Sequence, residues 1–235
     1  MNHNDALKLE DKRLSALLPN YAGRLLLQLS NYDLFSIKTS PILHKIRVSQ
    51  LPTSLTPSHS FLQGAYSELP FASESINLVL LPHTLELDKN AKLIINEAWR
   101  VLIPNGHLII LGVNPISLWG LYHLFSCPPP PWNGGYLYTI QTIYRWIHHL
   151  GGEITHTESF LFRPLLTSTP EKWMFDKLNW LEKILPWLFP YLGGIYLIIA
   201  QKQVRRLNHL GLVWQFPPVL GNKALAPNAR GVHRV

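Results

Sequence analysis

The chain has 235 residues, 47% of them hydrophobic, and a formal net charge of +7. A chain of this length can bury one substantial core, so we predict a soluble globular protein with one large domain, alone or with a small appendage. Cys127 is the only cysteine, which excludes an internal disulfide framework and a cysteine-based metal cluster.

The positive charge is concentrated at the C-terminal end of the chain. Residues 201–235 hold six basic residues and no acid, which leaves 15 basic and 14 acidic residues in the remainder. Binding to a phosphate backbone usually needs Lys and Arg clustered on a folded face, so this distribution argues against a nucleic-acid partner. We predict a domain over residues 1–202, followed by a basic, proline-containing tail over 203–235.

Two stretches bear on where the protein resides. No signal sequence is visible at the N-terminal end, which predicts a cytoplasmic protein. Residues 184–200 form an uncharged run of 17 residues, close to the roughly 20 needed to cross a bilayer, but prolines and glycines divide it. We therefore interpret its second half as a buried strand. An alternative for the aromatic segment 173–191 is peripheral contact with a membrane surface.

The apolar pattern predicts alternating helices and strands along the chain. A helix with leucines on one face precedes a short apolar strand, two weaker strands follow, and the signals are strongest from residue 76 onward. The predicted helices are 6–18, 89–102 and 139–150, and the predicted strands are 24–30, 45–49, 60–64, 76–81, 107–113, 153–162 and 194–202.

This order of elements indicates the fold class. Continuously apolar strands separated by a helix are typical of a parallel sheet that is covered on both faces. The last two strands are joined by an insertion at about 164–191, which allows them to pair as an antiparallel hairpin. We predict an α/β fold with a doubly wound, mostly parallel seven-stranded sheet and an antiparallel edge strand.

Two motifs surround the strand at 76–81. Residues 64–86 read GAYSELPFASESINLVLLPHTLE, and residues 95–115 read INEAWRVLIPNGHLIILGVNP. Together they resemble the type 11 group of class I S-adenosylmethionine-dependent methyltransferases, whose pattern runs roughly GDxxxLPFxxxSFDxVxxxxxLEH, then a helix and RVLxPGGxLxI. The segment NPISLWGLYHLF at 114–125 resembles a longer branch of that group. The resemblance implies a Rossmann-like methyltransferase fold and S-adenosylmethionine as the cofactor.

The resemblance also implies a cofactor pocket built from the loops after the first four strands. Glycines let the backbone approach the ligand there, and an acid after the second strand holds the ribose hydroxyls. This chain departs from that pattern, because no glycine lies between Gly23 and Gly64 and the acid is replaced by Ser49 and Gln50. The residues predicted to bind the cofactor are Ser30, Asn31, Tyr32, Ser49, Gln50, Ser67, Glu68, Leu69, Pro82, His83 and Leu85.

Two functional hypotheses follow from this degenerate glycine-rich loop. In the first, polar side chains and backbone amides replace the missing groups, and the protein methylates a small or lipophilic acceptor. In the second, cofactor binding has been lost and the fold serves as a catalytically silent scaffold for protein interaction.

Few residues are candidates for catalysis. Methyl transfer is an in-line displacement, so a general base is needed only when the acceptor must lose a proton. His83 is the candidate base because an ordinary imidazole titrates near neutral pH; the alternative is that it caps the next helix or lines the cofactor. Glu86 suits the first turn of that helix. Trp119 and Tyr122 are candidates for a lid or for core packing, and no metal site is predicted.

Overall fold

Seven strands form one mixed sheet in the computed structural model, which describes residues 3–52, 60–117, 135–160 and 193–203. The sheet order is β3-β2-β1-β4-β5-β7-β6. The strands are β1 (Leu25–Leu29), β2 (His44–Ser49), β3 (Ser60–Gln63), β4 (Ile76–Pro82), β5 (Leu102–Val113), β6 (Gly152–Phe160) and β7 (Ile195–Lys202). Strands β1 to β5 pair in parallel, whereas β7 pairs antiparallel with both β5 and β6.

Helices cover both faces of this sheet. They are α1 (His3–Leu17), α2 (Ala91–Val101) and α3 (Ile140–His149), with short 3-10 helices at Leu18–Asn20, Phe35–Thr39 and Leu85–Leu87. One core joins α2 and α3 to the sheet, and a second core on the opposite face takes side chains from α1. The doubly wound arrangement predicted from the sequence is confirmed.

The central strands are buried on both faces, which explains their unbroken apolar sequence. In β4, Val79 and Leu81 pack in the core beneath α2, while Leu78 and Leu80 pack in the core beneath α1. Alternate residues of a strand point to opposite faces, so a strand covered twice needs apolar side chains at every position. Burial of each such side chain contributes about 1.5–3 kcal/mol to folding.

Two element boundaries add detail to the predicted fold. The antiparallel pair of β6 and β7 lies at one edge of the sheet, as predicted. Strand β5 begins at Leu102 rather than at residue 107, because Leu102 already pairs with Ile76 across an irregular register. The helix before it therefore ends earlier than its apolar periodicity indicates.

Several predictions fall on parts of the chain that the structure does not describe. They are the insertion at about 164–191, the aromatic segment 173–191, and the lid candidates Trp119 and Tyr122. The chain divides into two compact units, Met1–Val204 and Arg205–Val235, and the second lies outside the described residues. The domain organisation stays a prediction. Within the described ranges, no helix combines the length and apolar character needed to cross a membrane.

Asn77 fixes the first strand against the fourth. Its side-chain oxygen accepts hydrogen bonds from the backbone N–H groups of Arg24, at 3.0 Å, and Leu25, at 3.1 Å. Gly23 lies so close that an added Cβ would be 2.6 Å from the Cβ of Asn77, so a side chain at position 23 would collide with it. Asn77 stands where the related motif has Asp, and its side-chain oxygen supplies the acceptor for both N–H groups.

We expect Asn77→Ala to lower the free energy of unfolding by about 1–3 kcal/mol, because two backbone donors lose their acceptor. Asn77→Asp is the matched control, since it keeps the acceptor oxygen and should remain within about 0.5 kcal/mol of the wild type. Urea unfolding measured by circular dichroism would check both values. Equal losses in the two variants would contradict this role for the Asn77 oxygen.

Candidate functional site

The sheet brings the predicted residues that follow β1, β2 and β4 to a single edge. Ser30 directly follows β1, Gln50 follows β2, and His83 follows β4. Ligands of open α/β sheets bind outside the carboxyl ends of the parallel strands, which is where these residues lie. Ser30, Ser49, Leu69, Pro82, His83 and Leu85 are buried, Asn31, Tyr32 and Ser67 are half-buried, and Gln50 and Glu68 are exposed.

The turn after β1 is held by side chains instead of glycines. The Gln28 amide donates hydrogen bonds to the Ser30 hydroxyl and, at 2.8 Å, to the backbone oxygen of Tyr32. The Ser30 hydroxyl donates to the same Tyr32 oxygen at 2.5 Å. Two donors therefore fix the carbonyl of Tyr32, and the turn is rigid without the conformational freedom that a glycine-rich loop provides.

The Asn31 side chain is hydrogen-bonded to residues at the end of β2. Its side-chain oxygen accepts hydrogen bonds from the Tyr66 hydroxyl, at 2.7 Å, and from the backbone N–H of Gln50, at 3.2 Å. The Ser49 hydroxyl lies 3.0 Å from the same oxygen. Burial raises the pKa of Tyr66 to about 12, so its hydroxyl stays protonated and donates at neutral pH. Ser49 and Gln50 stand at the end of β2, where the resemblance implies an acid, and both bond to the neutral Asn31 amide.

An ion pair on α2 holds the loop between β3 and β4. Arg100 donates hydrogen bonds to the Glu97 carboxylate and to the backbone oxygens of Leu69 and Phe71, at 3.2 and 2.9 Å. Glu97 in turn accepts the backbone N–H of Leu69 at 2.8 Å. This clamp gives a structural reason for the LPF and EAWRVL motifs, because it ties Leu69 and Phe71 to the last turns of α2.

The backbone at His83 is unusual. Its φ is 53°, in the left-handed region where non-glycine residues are uncommon but histidine is enriched. The His83 N–H donates to the Leu111 oxygen of β5 at 3.0 Å, and the Thr84 hydroxyl donates to the Leu29 oxygen of β1. Contacts to two neighbouring strands thus hold this conformation, and such outliers cluster at functional sites.

His83 lies between two carboxylates. Its Nδ1 atom is 3.1 Å from Glu86 Oε1, and its Nε2 atom is 3.1 Å from Glu10 Oε2, which comes from α1. All three side chains are buried. Glu86 Oε1 also accepts the backbone N–H of Val113 at 2.5 Å, so the cluster links α1, the loop after β4 and the end of β5.

The two carboxylates control the protonation of the imidazole. Burial by itself would lower the pKa of His83, but the charges and hydrogen bonds of Glu10 and Glu86 outweigh it and hold this pKa well above its ordinary value. An imidazolium between two carboxylates has no free lone pair with which to take a proton from an acceptor. This arrangement favours an electrostatic role for His83, and base catalysis by His83 stays a prediction.

Tyr32 adds a hydroxyl to this cluster. Part of the residue is exposed, but its hydroxyl is buried and has no hydrogen-bond partner among the described residues. Burial, followed by the charges of Glu10 and Glu86, raises the pKa of Tyr32 well above its usual range. The hydroxyl is therefore neutral at physiological pH.

One buried oxygen of the acidic cluster lacks a hydrogen-bond partner within the described ranges, and the polar groups after β2 are neutral. Glu10 Oε2 is paired with His83 Nε2 at 3.1 Å, whereas Glu86 Oε2 is buried without a hydrogen bond among the described residues. An unsatisfied carboxylate oxygen suits a cationic ligand. At the ribose end, the Asn31 oxygen is already engaged, which leaves neutral groups such as Gln50 and Ser67.

Sequence reasoning missed two members of this site. Glu10 was not predicted, although it interrupts the apolar face of α1 between Leu7 and Leu14, where an acid is unexpected. Tyr66 was not predicted either, and nothing in its local sequence distinguishes it from an ordinary core tyrosine. Within the described ranges, no group of three potential ligands that could hold a metal ion is present.

A family match covers the segment that contains these loops. Residues 22–110 match the methyltransferase domain family. The segment contains β1 to β4, α2 and most of β5, so it includes every predicted cofactor residue. The resemblance to the type 11 group of class I methyltransferases is confirmed over this segment.

One relative and two solved structures illustrate the similarity. The uncharacterized protein YafS of Escherichia coli is 34% identical over 137 residues, which are 57% of this chain and 52% of that protein. The chain thus spans about half the length of this relative. A methyltransferase of Archaeoglobus fulgidus described as S-adenosylmethionine-dependent aligns with a TM-score of 0.60 and 16% identity, over 83% of this chain and 94% of that one.

The second solved structure is a Haloferax volcanii complex between the Trm112 methyltransferase activator and a methyltransferase. It aligns with a TM-score of 0.60 and 15% identity, and the alignment covers 82% of this chain and 88% of that one. At such low identity, the two structural similarities establish the Rossmann-like methyltransferase fold.

Proposed function

We propose that this protein is an S-adenosylmethionine-dependent methyltransferase that acts on a small or lipophilic acceptor. The observation that carries the proposal is the match of residues 22–110 to the methyltransferase domain family. The same segment supplies the loops at the carboxyl edge of the sheet, where a ligand of this fold binds. When bound, the cofactor supplies an electrophilic methyl group on a sulfonium.

Different residues would bind the two ends of the cofactor, the positively charged end and the adenosine end. Glu10 and Glu86 would stabilise positive charge, while Tyr32 and the rigid turn before it would border the same end. Gln50 and Ser67 would provide neutral hydrogen bonds at the adenosine end. Because methyl transfer depends on proximity and orientation, such a site can act without a dedicated general base.

A surface pocket beside the cluster supports a small, apolar acceptor. It has a volume of about 240 Å³ and is lined by Leu7, Lys8, Asp11, Tyr32, Asp33, Leu34 and Phe35. Tyr32 belongs to both regions, since its hydroxyl joins the acidic cluster and the residue also lines the pocket. Phe35 is 75% exposed, with Lys38 Nζ 5.2 Å from the centre of its ring, so much of the side chain is open to an apolar molecule.

Cofactor binding is the first test of this proposal. A ligand that binds only the folded state raises the melting temperature, and at one hundred times its Kd it adds about 2.7 kcal/mol of stability. We expect millimolar S-adenosylmethionine to raise the melting temperature of the full chain by several degrees. An unchanged melting temperature at that concentration would contradict the proposal.

We expect Phe35→Ser to weaken binding of a small apolar probe at this pocket by about threefold to tenfold, because apolar contact area is lost. Chemical-shift titration with phenol would measure the affinity. Leu93→Ser is the matched control, since Leu93 is an exposed leucine of α2 and lies outside the residues lining the pocket. Equal effects of the two substitutions, or no effect of either, would count against this pocket as the acceptor site.

A second candidate function is a catalytically silent scaffold for protein interaction. The specific observation in its favour is that the Asn31 oxygen is engaged by Tyr66 and Gln50, in a chain that also lacks the glycine-rich loop. If no cofactor binds, partner capture by the full chain and by a chain without residues 203–235 would test this role. A large loss of capture on deletion would favour it.

A further inference from the structure

Glu10 fixes the first part of α1 to the sheet. From residue 7 to residue 13, it is the one buried residue of the helix, with 2% of its surface exposed. The buried apolar residue Leu14 comes one turn later, and Leu9 is half-buried. A helix of a globular protein usually docks through an apolar stripe. A carboxylate at this position therefore indicates that a polar contact holds this part of α1.

The partner of Glu10 is itself held firmly. Glu10 Oε2 lies 3.1 Å from His83 Nε2, and both side chains are almost fully excluded from solvent. The His83 N–H donates to the Leu111 oxygen at 3.0 Å, and the second ring nitrogen lies 3.1 Å from Glu86 Oε1. Salt screens a buried ion pair much less than an exposed one. His83 therefore offers α1 a rigid attachment point at the carboxyl edge of the sheet.

The residues beside Glu10 on α1 form one wall of the surface pocket. Leu7, Lys8 and Asp11 supply this wall, and residues 32–35 supply the opposite one. Leu7 and Asp11 lie on either side of Glu10 in the chain, within about one turn of the helix. Asp11 Oδ1 also accepts the Ser36 N–H at 2.7 Å, which ties the helix to the end of the opposite wall. The separation of the walls thus depends on how this turn of α1 is anchored.

We propose that Glu10 is a positioning residue that, through its buried ion pair with His83, fixes the α1 wall of this pocket and so sets the affinity for the acceptor. The inference rests on the acceptor pocket of the proposed function. A wall that is held in place before binding spares the ligand the cost of ordering it, and such preorganisation raises affinity. Glu10 lies outside the segment 22–110 that matches the methyltransferase family, whereas His83 lies within it.

Chemical-shift titration of the full chain with phenol tests the proposal. Glu10→Leu fills a similar volume but cannot accept a hydrogen bond from His83 Nε2, so it should bind phenol about threefold to tenfold more weakly than the wild type. Glu10→Gln keeps a side-chain oxygen for this hydrogen bond, so its affinity should return to within about twofold of the wild-type value. A residue that only stabilised the fold would lower the melting temperature without changing the affinity of the folded protein.

Glu158→Leu is the matched control. The same substitution there breaks the partly exposed ion pair that Arg13 of the same helix makes with β6 at 2.9 Å. Exposed pairs contribute little, so the affinity for phenol should stay within about twofold of the wild-type value. Equal affinities of the wild type and Glu10→Leu would overturn the inference and leave the pocket in place. Equal losses in Glu10→Leu and Glu158→Leu would overturn it as well.

Two further outcomes keep the test decisive. If the wild type does not bind phenol, the inference and the acceptor pocket both fail, while the thermal shift with S-adenosylmethionine still judges cofactor binding separately. If Glu10→Leu does not fold, Glu10→Asp replaces it, because Asp keeps the charge but is one methylene too short to hold the 3.1 Å contact. Wild-type affinity in Glu10→Asp would then overturn the inference, and a weaker affinity would support it.

Discussion

Replacing His83 with Gln is expected to lower the free energy of unfolding by about 3–5 kcal/mol at pH 7, because it leaves two buried carboxylates without their cation. Glu10 and Glu86 each lie 3.1 Å from a ring nitrogen of His83. Gln brings no positive charge to offset the two carboxylates. Denaturant unfolding of the wild type and the variant would measure the loss.

The matched control is His156→Gln. His156 lies on β6, is about half exposed and is 3.9 Å from Glu158, so its replacement should change stability by no more than about 0.5 kcal/mol. A loss below about 1 kcal/mol in His83→Gln would mean that the buried cluster does not depend on the imidazolium.

The same cluster predicts how stability varies with pH. The folded-state pKa of His83 is raised, whereas the unfolded chain titrates near the ordinary value of about 6.5. The folded state therefore binds the proton more tightly, so the contribution of His83 is fully present below about pH 6.5 and is lost as the pH rises through the folded-state pKa. Unfolding free energies measured from pH 7 to 10 should fall in the wild type and stay flatter in His83→Gln.

Replacing Asn31 with Asp is expected to tighten S-adenosylmethionine binding about fivefold to tenfold. The first carboxylate oxygen can keep the hydrogen bonds from Tyr66 and Gln50, and the second provides an acceptor for ribose hydroxyls. Hydrogen bonds to a charged group are worth about 1.5–3 kcal/mol, against about 1 kcal/mol for a neutral pair. Isothermal titration would give the change in Kd.

Asn105→Asp is the matched control for Asn31→Asp. Asn105 lies near the amino end of β5, far along the sheet from the site, and Asp tolerates its φ of 62°. Its cofactor affinity should equal that of the wild type. Unchanged or weaker binding in Asn31→Asp would show that the ribose does not bind beside Asn31.

The fold could be predicted because its determinants are local. Alternating strands and helices follow from apolar runs such as 76–81 and from the helical spacing of Ile94, Ile95 and Ala98 on α2. The exact start of β5 could not be predicted, since it depends on the pairing of Leu102 with Ile76, which lies far away in the sequence. The secondary-structure propensities of residues 102–106 carry no information about that pairing.

The site could be predicted only in part, because its chemistry comes from contacts between distant segments. The loop 82–86 was identified from its motif, but the partner of His83 on α1 is 73 positions earlier in the chain. Asn31 was predicted as a cofactor residue, and the structure shows its oxygen already engaged by protein donors. A local sequence pattern cannot show that the oxygen of a polar side chain already accepts hydrogen bonds from distant residues of the same chain.

Isothermal titration of the wild-type chain with S-adenosylmethionine tests the central claim most directly. The proposed methyltransferase should bind one molecule of cofactor per chain, with a Kd in the micromolar range, where a binding free energy of about 8 kcal/mol corresponds to 1 μM. No heat of binding and no thermal shift at millimolar cofactor would contradict the claim and would favour the silent scaffold.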